Sequence, residues 1–327
     1  MQIAVTGSIA TDQLTTFPGR FSEQLLPDQL ASVSLSFLVD DLQVRRGGVA
    51  ANIAFGLGLL GFAPVLVGAV GPDFSEYGAW LRMHGVDVSH VHVSKQSQTA
   101  RFMCITDRDQ NQIAAFYPGA MAEARHISLA DVTARAGRPA LVLIAPDDPP
   151  AMLRHTSASR HLRLPYAADP SQQLARLEGE EARQLVDGAQ LLFTNEYEAA
   201  LLCERTGWTE RQVLDRVGTW ITTRGAQGVT LATGEDAVLT VPAVPTKEAV
   251  DPTGVGDGFR AGYLAGMGRG LSKERAAQLG CALATTVLET VGTQEYRLSR
   301  DDLLARVADA YGVGASSDIA PLLEVLT

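Results

Sequence analysis

Cysteine is scarce in this chain: three in 327 residues, Cys104, Cys203 and Cys281, odd in number and far apart. That excludes a disulfide framework and predicts reduced thiols in a core, hence a cytoplasmic protein. The six histidines never fall at metal-ligand spacing; His90 and His92 would share a strand face, which is too little for a metal site. No apolar run approaches the ~20 residues of a membrane span. The start, Met1-Gln-Ile-Ala-Val-Thr-Gly7, reads as a strand rather than a basic-then-apolar leader. Basic runs are missing too. With 27 Lys and Arg against 37 Asp and Glu, the net charge is −10, which disfavours nucleic acid as a partner because phosphate backbones need clustered positive charge. No Gly-Lys pair occurs, so there is no G-x-x-x-x-G-K-[ST] loop. Any phosphate chemistry here needs a different cradle.

What is present points to a large α/β protein. A hydrophobic fraction of 46% supports an extensive core, and the length fits one large domain with a small appendage. Short apolar runs at 3–6, 65–67, 141–145, 164–168, 191–194 and 219–223 read as buried strands, with helical patterns between them. Three successive strand ends carry polar residues, Asp169 to Gln173, Asn195 to Glu198 and Arg224 to Gly228, the signature of a doubly wound sheet with a cleft beyond its carboxyl ends. Ser8 and Asp12 follow the first strand; each is either a turn or loop residue or a partner for a substrate's hydroxyls. Helical patterns at 273–291 and 301–311 look like sheet cover and a terminal helix stopped by Gly312.

Two strand-rich stretches interrupt this order. Residues 33–39 alternate, and Thr99–Thr106 with Ile113–Pro118 around a polar turn form a hairpin pattern. They suggest a small β lid of residues 10–45 and 98–118 over a large domain of 1–9, 46–97 and 119–327. Phe102 and Phe116 sit on the hairpin's two arms: either core of the small sheet, or a pair of rings for a flat base. A sheet this small needs a second layer, which the lid of a second subunit would supply.

The stretch Arg46-Gly-Gly-Val-Ala-Ala-Asn52 opens a helix through Gly47 and Gly48, and Asn52 must find a polar partner, a sugar hydroxyl or a backbone carbonyl. Gly56-Leu-Gly-Leu-Leu-Gly61 fits the dinucleotide G-x-G-x-x-G pattern but stands at a helix's far end, so close packing and a C-cap explain it better. The densest signal is Asp251-Pro-Thr-Gly-Val-Gly-Asp257. Its glycines turn main-chain N–H groups toward the start of a helix, which is an anion site. A carboxylate, Asp257, stands at the mouth. That is electrostatically odd for mere phosphate binding, and sensible if it takes a proton from a hydroxyl attacking phosphorus.

In order along the chain, Gly47-Gly48…Asn52, Asn195-x-x-Glu198, Thr223-x-Gly225-x-x-Gly228 and Asp251-x-Thr253-Gly-Val-Gly-Asp257 resemble the ribokinase-like (PfkB) carbohydrate kinases over nearly the whole length. Within that family the lid and the Ser8/Asp12 start are most similar to bacterial adenosine kinases. The resemblance implies a Rossmann-like α/β domain with a β lid, a homodimer through that lid, and transfer of the ATP γ-phosphoryl to the 5′-hydroxyl of adenosine. It makes Asp257 the base, with the amides of Gly254, Val255, Gly256 and Asp257 as anion hole. Asp12 and Asn52 would hold the ribose, backed by Gly48; Ser8, Ser36, Gln172 and Gln173 would contact the nucleoside, and Phe102 and Phe116 would sandwich the adenine. Asn195, Thr253 and the Thr223-Arg224-Gly225-Ala226-Gln227-Gly228 loop would bind ATP, and Glu198 would act through water on Mg²⁺. A monovalent cation stays open as a further cofactor. Pro252 and Gly258 depart from the commoner residues without touching the chemistry.

Overall fold

Six strands with apolar residues on both faces are laid side by side in parallel, as strands buried on two sides must be. The computed structural model describes residues 1–25, 32 and 34–326. Its strands are β1 (Ile3–Thr6), β2 (Ala10–Thr16), β3 (Asp41–Gly47), β4 (Val65–Val67), β5 (Ala69–Val70), β6 (His92–Val93), β7 (Ala100–Thr106), β8 (Gln112–Tyr117), β9 (Leu141–Ile144), β10 (Tyr166–Ala168), β11 (Leu191–Asn195), β12 (Thr219–Thr223), β13 (Val229–Ala232) and β14 (Leu239–Val241). The large sheet runs β14-β13-β12-β11-β10-β9-β1-β4, antiparallel only at the β13 and β14 edge. The chain winds from β1 to β4 on one side and from β9 onward on the other, so its direction reverses between β1 and β9. A crevice opens at such a point beyond the carboxyl ends.

Alternate residues of these strands feed two cores. Val5, Leu143 and Phe193 face the helices Val49–Leu59, Val255–Gly268 and Lys273–Leu288. Ala4, Val142 and Leu192 face the opposite layer, which includes Pro149–His161 and Gly179–Val186. The Gly56–Gly61 run is helix and cap as expected: a Cβ at Gly56 would stand 2.7 Å from that of Ala261, and Gly61 has φ +77°.

The second sheet, β3-β2-β7-β8, is the lid. In register, Asp12 is flanked by Arg45 and Phe102, and Phe102 by Phe116. Several expectations need correction. Of the alternating run at 33–39, Val33 lies outside the described residues and 34–39 forms no strand; β2 takes β3 as its partner instead. His90 sits in a turn and only His92 in a strand, where Nε2 lies 2.9 Å from Glu123. Helix Arg300–Tyr311 is not terminal, because Val313–Ile319 follows its Gly312 cap. Of the thiols, Cys104 and Cys281 are buried but Cys203 only partly so. Among the described residues no helix is long and apolar enough to cross a membrane.

Candidate active site

The Val255–Gly268 helix starts from Gly254, whose φ of +76° suits glycine. Its first helical bond is Gly258 N–H to the Gly254 carbonyl, and Val255 N–H reaches the Pro252 carbonyl only at 3.4 Å. The N–H groups of Gly254, Gly256 and Asp257 have no hydrogen-bond partner among the described residues. Three donors left free at a helix start are of the kind that suits an anion. Asp251 holds the turn: its carboxylate accepts from the N–H of Thr253 and of Gly292, both at 2.9 Å. Burial opposes its ionisation, yet these bonds outweigh it and keep its pKa below the ordinary value.

Asp257 stands at this turn, and Asn52 donates to its Oδ2 at 2.8 Å. Within the protein the Asn52 side-chain amide thus donates to the carboxylate itself rather than to a backbone carbonyl. Its own Oδ1 accepts from Gln294 Nε2 at 2.9 Å and lies 3.0 Å from the Thr293 hydroxyl; Gln294 also donates to Tyr77, whose hydroxyl donates to the Gly47 carbonyl. Two donors on Oδ1 and the Asp257 acceptor on Nδ2 fix the orientation of the Asn52 amide, although Gln294 Oε1 itself is left without a partner among the described residues. Burial pushes the Asp257 carboxyl up to about 7, against the pull of the Arg260 cation and the Asn52 bond.

Two cavities meet at the turn. One of 860 Å³ lies between lid and sheet, lined by Ser8, Asp12, Gly48, Asn52, Phe102, Phe116, Gln172, Gln173, Asn195, Glu198, Thr253, Gly254 and Asp257. The other, of 710 Å³, is mainly apolar and is lined by Ala226, Gly228, Val244, Pro245, Val255, Phe259 and Leu288 among others. Thr223, Gly225 and Gly256 belong to both. The anion turn therefore divides two compartments of small-molecule size. Burial raises Asp12 to about 6, with Arg45 pulling the other way, and the carboxylate fits because a Cβ at Gly47 would stand 2.9 Å from it.

A family model of pfkB carbohydrate kinases matches residues 10–299. The chain belongs to that family. A nucleoside kinase of Methanocaldococcus jannaschii is 29% identical to it over 308 residues, 94% of this chain and 96% of that protein. The nucleoside kinase of Burkholderia thailandensis in complex with inosine matches at 34% identity with a TM-score of 0.82, covering 95% of this chain and 98% of that one. In its ADP-inosine complex the same protein gives 35%, 0.80, 95% and 96%. The fold is accordingly ribokinase-like.

In this pfkB-family kinase some expected residues stand apart. Ser36 lies on an exposed segment outside both cavities. Arg224 and Gln227 line neither; Arg224 donates to Glu196 at 2.9 Å. Asn195 and Glu198 line the cleft, yet each also caps the other's main chain at 2.7 Å, so helix capping accounts for their spacing as fully as ligand binding does. Phe102 and Phe116 are side-by-side neighbours on one sheet face; they form one aromatic wall, and a sandwich would require the rings to splay. Sequence reasoning passed over Thr293, Gln294 and Arg260, and named Asp169 only as a polar strand end, without its partner. For Thr293-Gln294 the available signal was a second glycine turn, at Gly292.

Proposed function

We propose that the chain is an ATP-dependent nucleoside kinase that phosphorylates the 5′-hydroxyl of a purine nucleoside, adenosine being the expected acceptor. The observation that carries this is Asp257 standing among free amides where two cavities meet. The lid cavity takes the acceptor and the apolar one the adenine of ATP. The γ-phosphoryl then sits over the amides of Gly254, Gly256 and Asp257, in line with a hydroxyl beside the Asp257 carboxylate. A base whose pKa is near neutrality accepts that proton more readily than an ordinary carboxylate and is still ionised in a large share of molecules at neutral pH. The amides offset charge that develops on the transferring group.

Asp12 and Asn52 suit ribose hydroxyls, and the Phe102–Phe116 wall suits a flat base. Gln173 is buried with an unpartnered Oε1 in the same cavity. An amide offers both a donor and an acceptor to a purine edge, which fits adenosine here and the inosine bound by the Burkholderia relative. Mg²⁺ would need little from the protein beyond Glu198, since this ion keeps waters and binds phosphate oxygens; of the three carboxylates on the cleft wall, Asp12, Glu198 and Asp257, Glu198 is the one given neither the ribose nor the proton. Bound there, the ion would neutralise phosphate charge. The lid's outer face carries Leu42, Val44, Met103 and Ile113, all exposed and in register on one side, which supports a homodimer closing face to face; sedimentation at two ionic strengths tests it.

ADP release should be fast with adenosine and other purine nucleosides, and slow with ribose or fructose; faster turnover of a free sugar would sink the reading. Phe102→Ala should weaken nucleoside affinity by about 1–3 kcal/mol of stacking while leaving ATP affinity alone. An unchanged KM for adenosine would remove the base from that wall.

A further inference from the structure

One buried charge pair beneath the anion turn has no role yet in this scheme, although Arg260 belongs to the wall of the 860 Å³ cavity. Arg260 lies three residues after Asp257, on the same side of their helix. Its side chain is 7% exposed and that of its partner, Asp169 beyond β10, 0%. Nη2 donates to Asp169 Oδ1 at 2.6 Å, and Nε lies 2.6 Å from Oδ2 but off the line of a good hydrogen bond. Nη1 donates at 2.9 Å to the Gly256 carbonyl. Glycine makes room for it: a Cβ at 256 would stand 2.8 Å from Nη1.

As a stabiliser such a pair is weak, because desolvating two charges offsets their attraction and an apolar pair fills the same space. Its placement has a better explanation. The Gly256 carbonyl and the Asp257 N–H are two ends of one planar peptide unit. A cation donating to the carbonyl end fixes that plane and polarises the N–H at the other end, and that N–H is one of the free donors at the turn.

We propose that Arg260, braced by Asp169, is a positioning residue that locks the Gly256–Asp257 peptide as a phosphoryl-binding donor and sets a positive charge beneath the base. The inference rests on reading Asp257 as that base. The groups that face its carboxyl are Arg260 on its own helix, the Asn52 amide from the neighbouring helix, Asp169 beyond β10 and the Tyr296 hydroxyl; Glu198 acts on the Asp169–Arg260 pair. Arg260 lowers the Asp257 pKa more than Asp169 raises it. Losing both therefore moves the titration up, and losing Asp169 alone moves it down.

The test compares Asp169→Asn/Arg260→Met, which leaves no unpaired buried charge, with Asp169→Asn alone. The double variant should fold, and lose about 10–100-fold in kcat with little change in the nucleoside KM. The acid limb of its pH–rate profile should move to higher pH, and that of Asp169→Asn to lower pH. A well-folded double variant with normal kcat and an unmoved acid limb overturns the proposal. Should it fail to fold, Arg260→Lys keeps the charge but not both donations; it should lose kcat with the limb in place, and normal kcat there overturns the proposal equally. A ¹³C titration of the Asp257 carboxyl, assigned by its loss in Asp257→Asn, reads the same opposed shifts without any acceptor. Near-normal turnover of Asp257→Asn would instead strike the base reading, and the opposed ¹³C shifts would then decide the role of Arg260 by themselves.

Discussion

Asp257→Asn should lower kcat by about 10²–10⁴-fold with a much smaller effect on nucleoside affinity. The amide keeps the shape and can still accept from Asn52, but it cannot take a proton. Wild-type kcat/KM should rise with pH through the region of the Asp257 pKa, about 7, as the carboxyl ionises; the variant's residual rate should be flat there. Stability should move the other way. The folded pKa lies above the ordinary 3.8 because burial penalises the charged form. That contribution is intact below about pH 4 and is lost as pH rises through about 7. The neutral variant escapes the loss, so it should melt several degrees higher than wild type at pH 8 and close to wild type at pH 4. Melting curves at the two pH values, with single-turnover rates, check both halves. A slower enzyme that is no more stable at pH 8 would mean the carboxylate is not held against its own desolvation.

Much of the site could be read from the chain because its parts sit at strand ends and helix starts, where composition changes sharply. The polar residues after three apolar runs include Gln172, Gln173, Asn195 and Gly225, which line the cleft, and the glycines before Asp257 gave the turn beside it. Partners were another matter. Asn52 needed one, but Asp257 lies 205 residues away, and Arg260 meets Asp169 across 91; no local pattern encodes such pairings. Alternation at 33–39 misled because alternation marks strand-forming ability, and a strand forms only where a neighbour offers its ladder; β2 is already paired on both edges, by β3 and β7. The edge strands β13 and β14, four and three residues long, went unnoticed. Phe102 and Phe116 were placed on facing arms correctly, yet a hairpin puts such a pair on one face, which sequence position alone does not convey.

Gly48→Ala should cost both stability and catalysis, although the side chain it adds is a single methyl. Gly48 has φ +94°, and a Cβ there would stand 2.6 Å from Ala10 N, 2.6 Å from the Ser8 carbonyl oxygen and 2.7 Å from Ile9 Cα. All three are main-chain atoms of the crossing from β1 to β2, so no rotamer change relieves the collision. Either the start of the Val49–Leu59 helix retreats, or the crossing shifts by several tenths of an ångström, carrying Ser8 and Asp12 with it. The Ser8 hydroxyl accepts from Val49 N–H at 3.1 Å, which ties the two segments together. Expected is a loss of about 2–4 kcal/mol in stability and of about 10²-fold in kcat/KM for the nucleoside, the scale of a misplacement near 1 Å. Gly270→Ala separates the causes: its φ is +81° but nothing lies within 4 Å of the added methyl. It should cost about 1–2 kcal/mol for the left-handed backbone and leave kcat/KM unchanged. If both alanine variants lost activity alike, or Gly48→Ala kept it, the close approach of helix start to crossing would not be what holds the acceptor in line.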